Sequence, residues 1–220
     1  MKAIFFDANG VIYYRQEQNR YLKDFLLKNN LALPSGDMLS VQTEKLHDAA
    51  LKGQVPQEDY WNAILETCGV KDLSLLKKGR AAIKKDHGNI VLFPMVKVTL
   101  DSLKERGFLV GIVTDAGVSK LTKLAWFKKQ GLDIVWDAYA NSMDLKTRKP
   151  DLYMFEAALE EAGVTADETV FVGHDARELN GARRAGLRTI AFNYDPGVEA
   201  DYFVDKFEDL LTLPFLRQVE

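Results

Sequence analysis

Short apolar runs alternate with amphipathic stretches from Phe93 onward, and this alternation limits the fold more than any other feature of the chain. Each apolar run has the length of one buried strand, and each amphipathic stretch places apolar residues three and four positions apart, as in a helix. Repeated βα units of this kind build a parallel sheet. The predicted strands are Ala3–Phe6, Phe108–Val113, Ala138–Ala140, Thr169–Val172, Thr189–Phe192 and Tyr202–Val204. The predicted helices are Val96–Glu105, Ser119–Lys129, Leu152–Ala162 and Glu178–Ala185.

Residues 15 to 88 differ from the rest because they contain no convincing strand pattern. Four stripes of apolar residues at helical spacing occur there, separated by glycine and asparagine breakers. This pattern predicts a helical bundle inserted after the first strand. The sequence therefore predicts an α/β protein with a Rossmann-like parallel-sheet core, residues 1–14 and 89–220, and a helical cap, residues 15–88.

Composition excludes several classes of function. A net charge of -3 is unfavourable for binding nucleic acid or a membrane surface, because both partners need a concentrated positive field. The single cysteine, Cys68, cannot form an internal disulfide. The opening MKAIFFD has an apolar run too short for a secretory signal. We therefore expect a cytoplasmic, globular protein with neither a nucleic-acid nor a membrane partner.

Polar side chains lie close behind the predicted strands, at the carboxyl ends where open parallel sheets bind their ligands. They are Asp7 with Asn9, Thr114 with Asp115, Lys149 in KTRKPD, and His174 with Asp175 and Glu178. Together they offer a nucleophile, a hydroxyl donor, a cation and carboxylates that can hold a hard metal ion. Such a set suits phosphoryl transfer, which depends on charge neutralisation and positioning.

The order of these residues along the chain resembles that of the four motifs of the haloacid dehalogenase-like hydrolases. The resemblance covers essentially the whole chain. Asp7 matches the nucleophile of the first motif, Thr114 the hydroxyl of the second and Lys149 the lysine of the third. Val172 to Gly186 matches the acidic fourth motif, and residues 15–88 match a helical cap between the first two. The resemblance implies a hydrolase, with Mg²⁺ and an aspartyl-phosphate intermediate if it is a phosphatase.

Two positions depart from the phosphatase pattern of that superfamily. Most of its phosphatases have Asp at the position of Asn9, serving as general acid and base, and Asp at the position of His174, serving as principal metal ligand. We predict a metal site displaced by one residue, with Asp7, the Asn9 carbonyl and Asp175 as ligands and Glu178 ordering outer-shell water. His174 is either a further ligand, which would favour a transition metal, or a partly buried histidine with a structural role.

We further predict that the substrate is bound by five residues, namely Asn9, Gly10, Thr114, Asp115 and Lys149. Of these, Thr114, Lys149 and the backbone near Asn9 and Gly10 should hold the phosphoryl oxygens. The predicted substrate is a small phosphorylated metabolite. Activity on phosphomonoesters should be weak, because an amide at residue 9 cannot replace a general acid, which contributes about a hundred- to ten-thousandfold.

Two other functions stay open. One is a dehalogenase-like hydrolase without metal, in which Asp7 displaces halide from carbon. The other is a catalytically reduced protein that binds a phosphorylated ligand or has a regulatory role. The single residues also have structural interpretations: Asn9 and Gly10 suit a tight turn, and Asp175 and Glu178 suit the first turn of a helix.

Overall fold

A computed structural model describes residues 1–216 and has the predicted α/β architecture. The strands are β1 (Ala3–Phe6), β2 (Tyr13–Tyr14), β3 (Val91–Leu92), β4 (Leu109–Thr114), β5 (Ala138–Asn141), β6 (Thr169–Gly173), β7 (Arg188–Phe192) and β8 (Tyr202–Val204). Six of them form one parallel sheet in the order β5-β4-β1-β6-β7-β8. These six are the predicted strands, with ends displaced by at most one residue.

Helices connect the strands and cover both faces of the sheet. They are α1 (Arg20–Lys28), α2 (Gly36–Leu51), α3 (Gln57–Thr67), α4 (Leu73–Gly88), α5 (Val96–Glu105), α6 (Lys120–Lys129), α7 (Ser142–Leu145), α8 (Leu152–Ala162) and α9 (Ala176–Arg184). Strand β1 contributes to both faces: Ile4 and Phe6 pack in one apolar cluster, Ala3 and Phe5 in the other. Within residues 1–216, no helix combines the length and apolar character needed to cross a bilayer.

Helices α1 to α4 lie between β2 and β3 in the chain and share an apolar cluster of their own. That cluster includes Leu22, Leu65 and Ile83, contributed by three of the four helices. The inserted segment therefore has a separate core, as expected for a cap. Its boundaries at residues 15 and 88 stay a prediction.

An antiparallel pair of short strands joins the two chain crossings between core and cap. Tyr13 of β2 pairs with Leu92 of β3, and Tyr14 pairs with Val91. Neither strand was predicted, because two residues are too few to show an alternating pattern.

The cap also contacts the core at the end of α2. The Ser142 hydroxyl donates to the Leu51 carbonyl over 2.7 Å, and the Lys146 ammonium donates to the Gly53 carbonyl over 3.1 Å. A side-chain ion pair joins Arg148 Nη1 to Asp48 Oδ1 at 3.2 Å. Core and cap are therefore connected by a backbone ladder on one side and by polar side chains on the other.

Candidate active site

The candidate site lies at the carboxyl ends of the three central strands. Strands β4, β1 and β6 are neighbours, and Phe6 is in register with Ile112 and Val172. Asp7, Thr114 and His174 come from the ends of these strands, so parallel pairing brings them to one edge of the sheet.

Lys149 lies between two buried carboxylates. Its Nζ is 2.5 Å from Asp7 Oδ1 and 2.6 Å from Glu178 Oε2, and all three side chains are at most 7% exposed. The Lys149 backbone N–H donates to Asp115 Oδ1 over 3.0 Å, which fixes the chain at that point. A charge without a partner is costly in the interior, so the ammonium and the two carboxylates each need the others to remain charged there.

The net effect of burial and of the neighbouring charges is to raise the pKa values of Asp7 and Lys149 and to lower that of Glu178. Burial and the Glu178 carboxylate raise the pKa of Asp7 to about 6, against the opposing effect of Lys149. Burial would lower the pKa of Lys149, but the facing carboxylates of Asp7 and Glu178 raise it above its ordinary value. Burial would raise the pKa of Glu178, but Lys149 and His174 hold it well below its usual range. Asp7 is therefore the carboxylate that gains a proton first as the pH falls.

His174 faces both carboxylates. Its Nδ1 is 2.9 Å from Glu178 Oε1 and 3.7 Å from Asp7 Oδ2, and interaction with Glu178 raises the pKa of the imidazole. The short contact is poorly aligned for a hydrogen bond, so Nδ1 is a buried polar atom without a proper partner among the described residues. The ring covers Gly10, whose φ is 91° and where a Cβ would lie only 2.8 Å from the imidazole. Glycine at residue 10 is thus required by both conformation and packing.

Asp175 and Glu178 form the start of helix α9. The Asp175 carboxylate accepts from the Arg177 N–H at 2.6 Å, and Glu178 Oε1 accepts from the backbone N–H groups of His174 and Asp175. This is a capping box. Possible donor atoms of Asp7, His174 and Glu178 lie within 4.8 Å of one another, a group that does not include Asp175. Glu178 and His174 thus face Asp7, whereas the Asp175 carboxylate caps α9. Direct ligation of a metal by Asp175 stays a prediction.

Thr114 has a partner that sequence analysis missed. Its Oγ1 accepts a hydrogen bond from Lys123 Nζ of α6 at 2.8 Å, and Lys123 is only 2% exposed. Burial lowers the pKa of this lysine to about 7. The sequence signal was the position of Lys123 four residues before Phe127, because both residues lie on the buried face of α6.

Asn9 lies in a turn beside two cavities. It forms a β-bridge with Tyr13, and its Oδ1 is 3.4 Å from Arg15 Nη1. One cavity, of about 170 Å³, contains Asp7 and the side chains around it. The second, of about 140 Å³, lies between cap and core, and both are lined by Asn9 and Asp115.

Similarity to known proteins agrees with this arrangement. The chain is 34% identical to (S)-2-haloacid dehalogenase 4A of Burkholderia cepacia over 101 residues, which cover 46% of this chain and 43% of that enzyme. It is 29% identical to pyrophosphatase PpaX of Bacillus mycoides over 134 residues, covering 58% and 60% of the two chains. These matches therefore span about half the length of the relatives.

The fold recurs in solved structures. A 2-haloacid dehalogenase from Pseudomonas syringae superposes with a TM-score of 0.72 at 22% identity, covering 96% of both chains. The family description "haloacid dehalogenase-like hydrolase" matches residues 1–186, a segment that contains Asp7, Thr114, Lys149 and Glu178. With this match over most of its length, the chain belongs to the family of haloacid dehalogenase-like hydrolases.

Proposed function

We propose that this protein hydrolyses small phosphate esters through a covalent intermediate on Asp7. The observation that carries the proposal is the buried Lys149 ammonium, 2.5 Å from the Asp7 carboxylate, at the sheet edge where such ligands bind. This contact favours the ionised form of the carboxyl group, which is the nucleophilic form.

The two oxygens of Asp7 have different surroundings. Oδ1 accepts the hydrogen bond from Lys149, which leaves Oδ2 as the attacking atom. In the proposed reaction, Oδ2 bonds to phosphorus as the bond from phosphorus to the ester oxygen breaks, and the leaving oxygen takes a proton from water. Water then cleaves the aspartyl phosphate, releasing phosphate and the free carboxylate. Lys149 offsets negative charge on the phosphoryl oxygens throughout.

Thr114 is suited to orient the phosphoryl group. Its Oγ1 already accepts from Lys123 Nζ, so its own hydroxyl proton is available to a phosphoryl oxygen. We propose that Thr114 donates this hydrogen bond and that the backbone of Asn9 and Gly10 supplies further donors. Asp115 acts indirectly, by holding the backbone of Lys149.

The donor atoms beside Asp7 fit a divalent cation. Two carboxylates and an imidazole converge, and His174 Nδ1 is buried without a properly aligned partner in the part of the chain that the structure describes. We propose that Asp7, His174 and Glu178 hold this cation, with Mg²⁺ as the physiological ion. When bound, the cation would neutralise charge on the transferring phosphoryl group.

An imidazole in the donor set predicts a preference among metals. Calorimetric titration should show tighter binding of Mn²⁺ than of Mg²⁺, because imidazole suits first-row transition metals better. His174→Ala should weaken Mn²⁺ binding by about tenfold or more. Asp175→Asn keeps an oxygen to cap α9, so it should change neither the affinity for Mn²⁺ nor the affinity for Mg²⁺. Equal binding of Mn²⁺ to wild type and His174→Ala would rule out ligation by His174, and weaker binding to Asp175→Asn would restore Asp175 as the ligand.

A second candidate function is favoured by the amide at residue 9. Displacement of halide from carbon needs no proton on the leaving group, so it could proceed with Asn9 in place and without a metal. Asp7 held by Lys149 would then attack carbon instead of phosphorus. The similarity to the Burkholderia dehalogenase over 101 residues supports this alternative.

Asn9→Asp separates the two candidates. If a phosphatase lacks its proton donor, the new carboxyl group should raise turnover of alkyl phosphates by at least about tenfold. Aryl phosphates should gain less, because their leaving groups need little protonation. The assay compares one alkyl and one aryl phosphate at saturating Mg²⁺. Unchanged or lower alkyl phosphatase activity would favour the dehalogenase. A direct assay for that activity measures halide release from 2-haloacids in the presence of a chelator.

A further inference from the structure

Lys123 is a buried cation that contacts neutral groups. Its side chain, on the inner face of α6, is 2% exposed, and its Nζ donates to Thr114 Oγ1 over 2.8 Å. The centroid of the Tyr13 ring is 5.8 Å from the same Nζ. Among the residues that the structure describes, no carboxylate pairs with Lys123 at 4.0 Å or less. Such a buried ammonium is costly, so an anion bound nearby would stabilise it.

Charged groups at longer range act on Lys123 in both directions. Burial lowers the pKa of its ammonium to about 7, against the carboxylates of Asp7 and Asp115, and the cations Arg15 and Lys149 add to the lowering. The other titratable groups that line the cavity between cap and core are neutral at pH 7, namely Tyr13, His47 and His87. Lys123 therefore changes between ammonium and neutral amine in the neutral pH range.

The protonation state of Lys123 decides the direction of its hydrogen bond with Thr114. An ammonium has three N–H donors and no acceptor, so Thr114 Oγ1 accepts and its own proton is free for another acceptor. A neutral amine has a lone pair that can accept this proton, and the hydroxyl then has no single fixed direction. Thr114 is the last residue of β4, so the ammonium form keeps a hydroxyl donor available at the sheet edge of the candidate site.

We propose that Lys123 is a positioning residue, whose ammonium holds the Thr114 hydroxyl as a donor to a phosphoryl oxygen. The assignment rests on the proposed function, from which it takes a tetrahedral oxyanion as the ligand of Thr114. The bound oxyanion supplies negative charge near the ammonium, so ligand binding and protonation of Lys123 favour each other. Binding through Thr114 is therefore strongest below the pKa of Lys123 and weakens as the pH rises through it.

Sulfate tests this role without turnover, because it has the tetrahedral oxygens of a phosphoryl group and keeps its charge throughout the neutral range. Calorimetry at about pH 6 should show at least about tenfold tighter binding to wild type than to Lys123→Met, the effect of a hydrogen bond that depends on a charged group. At about pH 9 this ratio should fall close to one, because Lys123 is then a neutral amine in wild type.

Two features of this comparison isolate Lys123. The ratio at each pH removes the titration of groups that both proteins share, such as Asp7 and His174. Lys129→Met removes an exposed charge from the same helix and should bind sulfate as wild type does at both pH values.

A double variant separates positioning of the hydroxyl from a general effect of charge. Thr114→Val removes the hydroxyl and nearly keeps the shape of the side chain. If Lys123 acts through Thr114, Lys123→Met should weaken sulfate binding by about twofold at most in the Thr114→Val background. Equal losses in both backgrounds would overturn the positioning role. So would a ratio near one at the lower pH, a ratio that does not fall with pH, or no binding of sulfate to wild type.

The outcomes also separate this role from the proposed reaction. If the protein cleaves no phosphate ester but shows the pH-dependent ratio and the coupling to Thr114, the phosphatase proposal fails and the orientation of Thr114 by Lys123 stands for oxyanions in general. If the protein cleaves phosphate esters but wild type and Lys123→Met bind sulfate equally, the role of Lys123 fails and the reaction at Asp7 stands.

Discussion

Asp7→Asn is expected to lower turnover of every substrate by about a thousandfold or more, as loss of a covalent nucleophile does in other hydrolases. The amide has nearly the same shape as the carboxylate but cannot attack phosphorus or carbon. Lys149 keeps its second partner, Glu178 Oε2 at 2.6 Å, so the fold should be retained. Steady-state kinetics over phosphate esters and 2-haloacids, with circular dichroism as a check of folding, measures both effects.

A matched control for Asp7→Asn is Asp101→Asn. Asp101 lies in α5, where its carboxylate pairs with Lys97 on the surface. The same chemical change there should leave turnover unaltered. Covalent catalysis by Asp7 would be refuted if the Asp7→Asn protein kept a substantial part of the wild-type rate. Mass spectrometry of quenched wild-type enzyme should show a covalent adduct that Asp7→Asn does not form.

Lys149→Met is expected to lower the free energy of unfolding by about 3–5 kcal/mol, because it removes the ammonium that pairs with two buried carboxylates. Turnover should fall at the same time, because Asp7 loses the charge that keeps it ionised. Urea unfolding followed by circular dichroism gives the first quantity. Lys129→Met makes the same substitution at an exposed position and should change stability by at most about 0.5 kcal/mol.

A double variant tests the reason for this loss of stability. If the destabilisation comes from unpaired carboxylates, adding Glu178→Gln to Lys149→Met should restore part of the stability, although Glu178→Gln alone lowers it. Such non-additivity is the signature of direct interaction between the two side chains. A double variant whose losses simply add would contradict the buried ion-pair network.

The main sheet was predictable because each of its strands is a short, nearly continuous apolar run followed by a turn or polar residues. Ala3–Phe6, for example, reads as a buried strand, and β1 has those bounds. The ladder of β2 and β3 was not predictable, because two residues carry no period. Helix α9 begins two residues before its predicted start, because the Asp175 carboxylate caps its first turn.

The members of the site were easier to predict than their interactions. The topology of parallel strands was enough to bring Asp7, Thr114 and His174 to one edge. Sequence spacing could not show that the Asp175 carboxylate would bind backbone N–H groups while Glu178 reached Lys149. That choice depends on side-chain directions in the first turn of α9. Lys123 was missed because most lysines in amphipathic helices are exposed, and its spacing from Phe127 is a weak signal beside that tendency.

The ladder between β2 and β3 has a consequence for how substrates enter. The ladder pairs the two chain segments that connect core and cap. The cap is therefore joined to the core by one hinge and not by two independent ones. The contacts at the far end of α2 are polar side-chain bonds that water can replace. We expect rotation of the cap about this ladder to open the cavity between cap and core from the α2 side while leaving the sheet intact. Entry of a ligand and its release would then share this one rotation, and its rate would limit turnover separately from the chemistry proposed at Asp7.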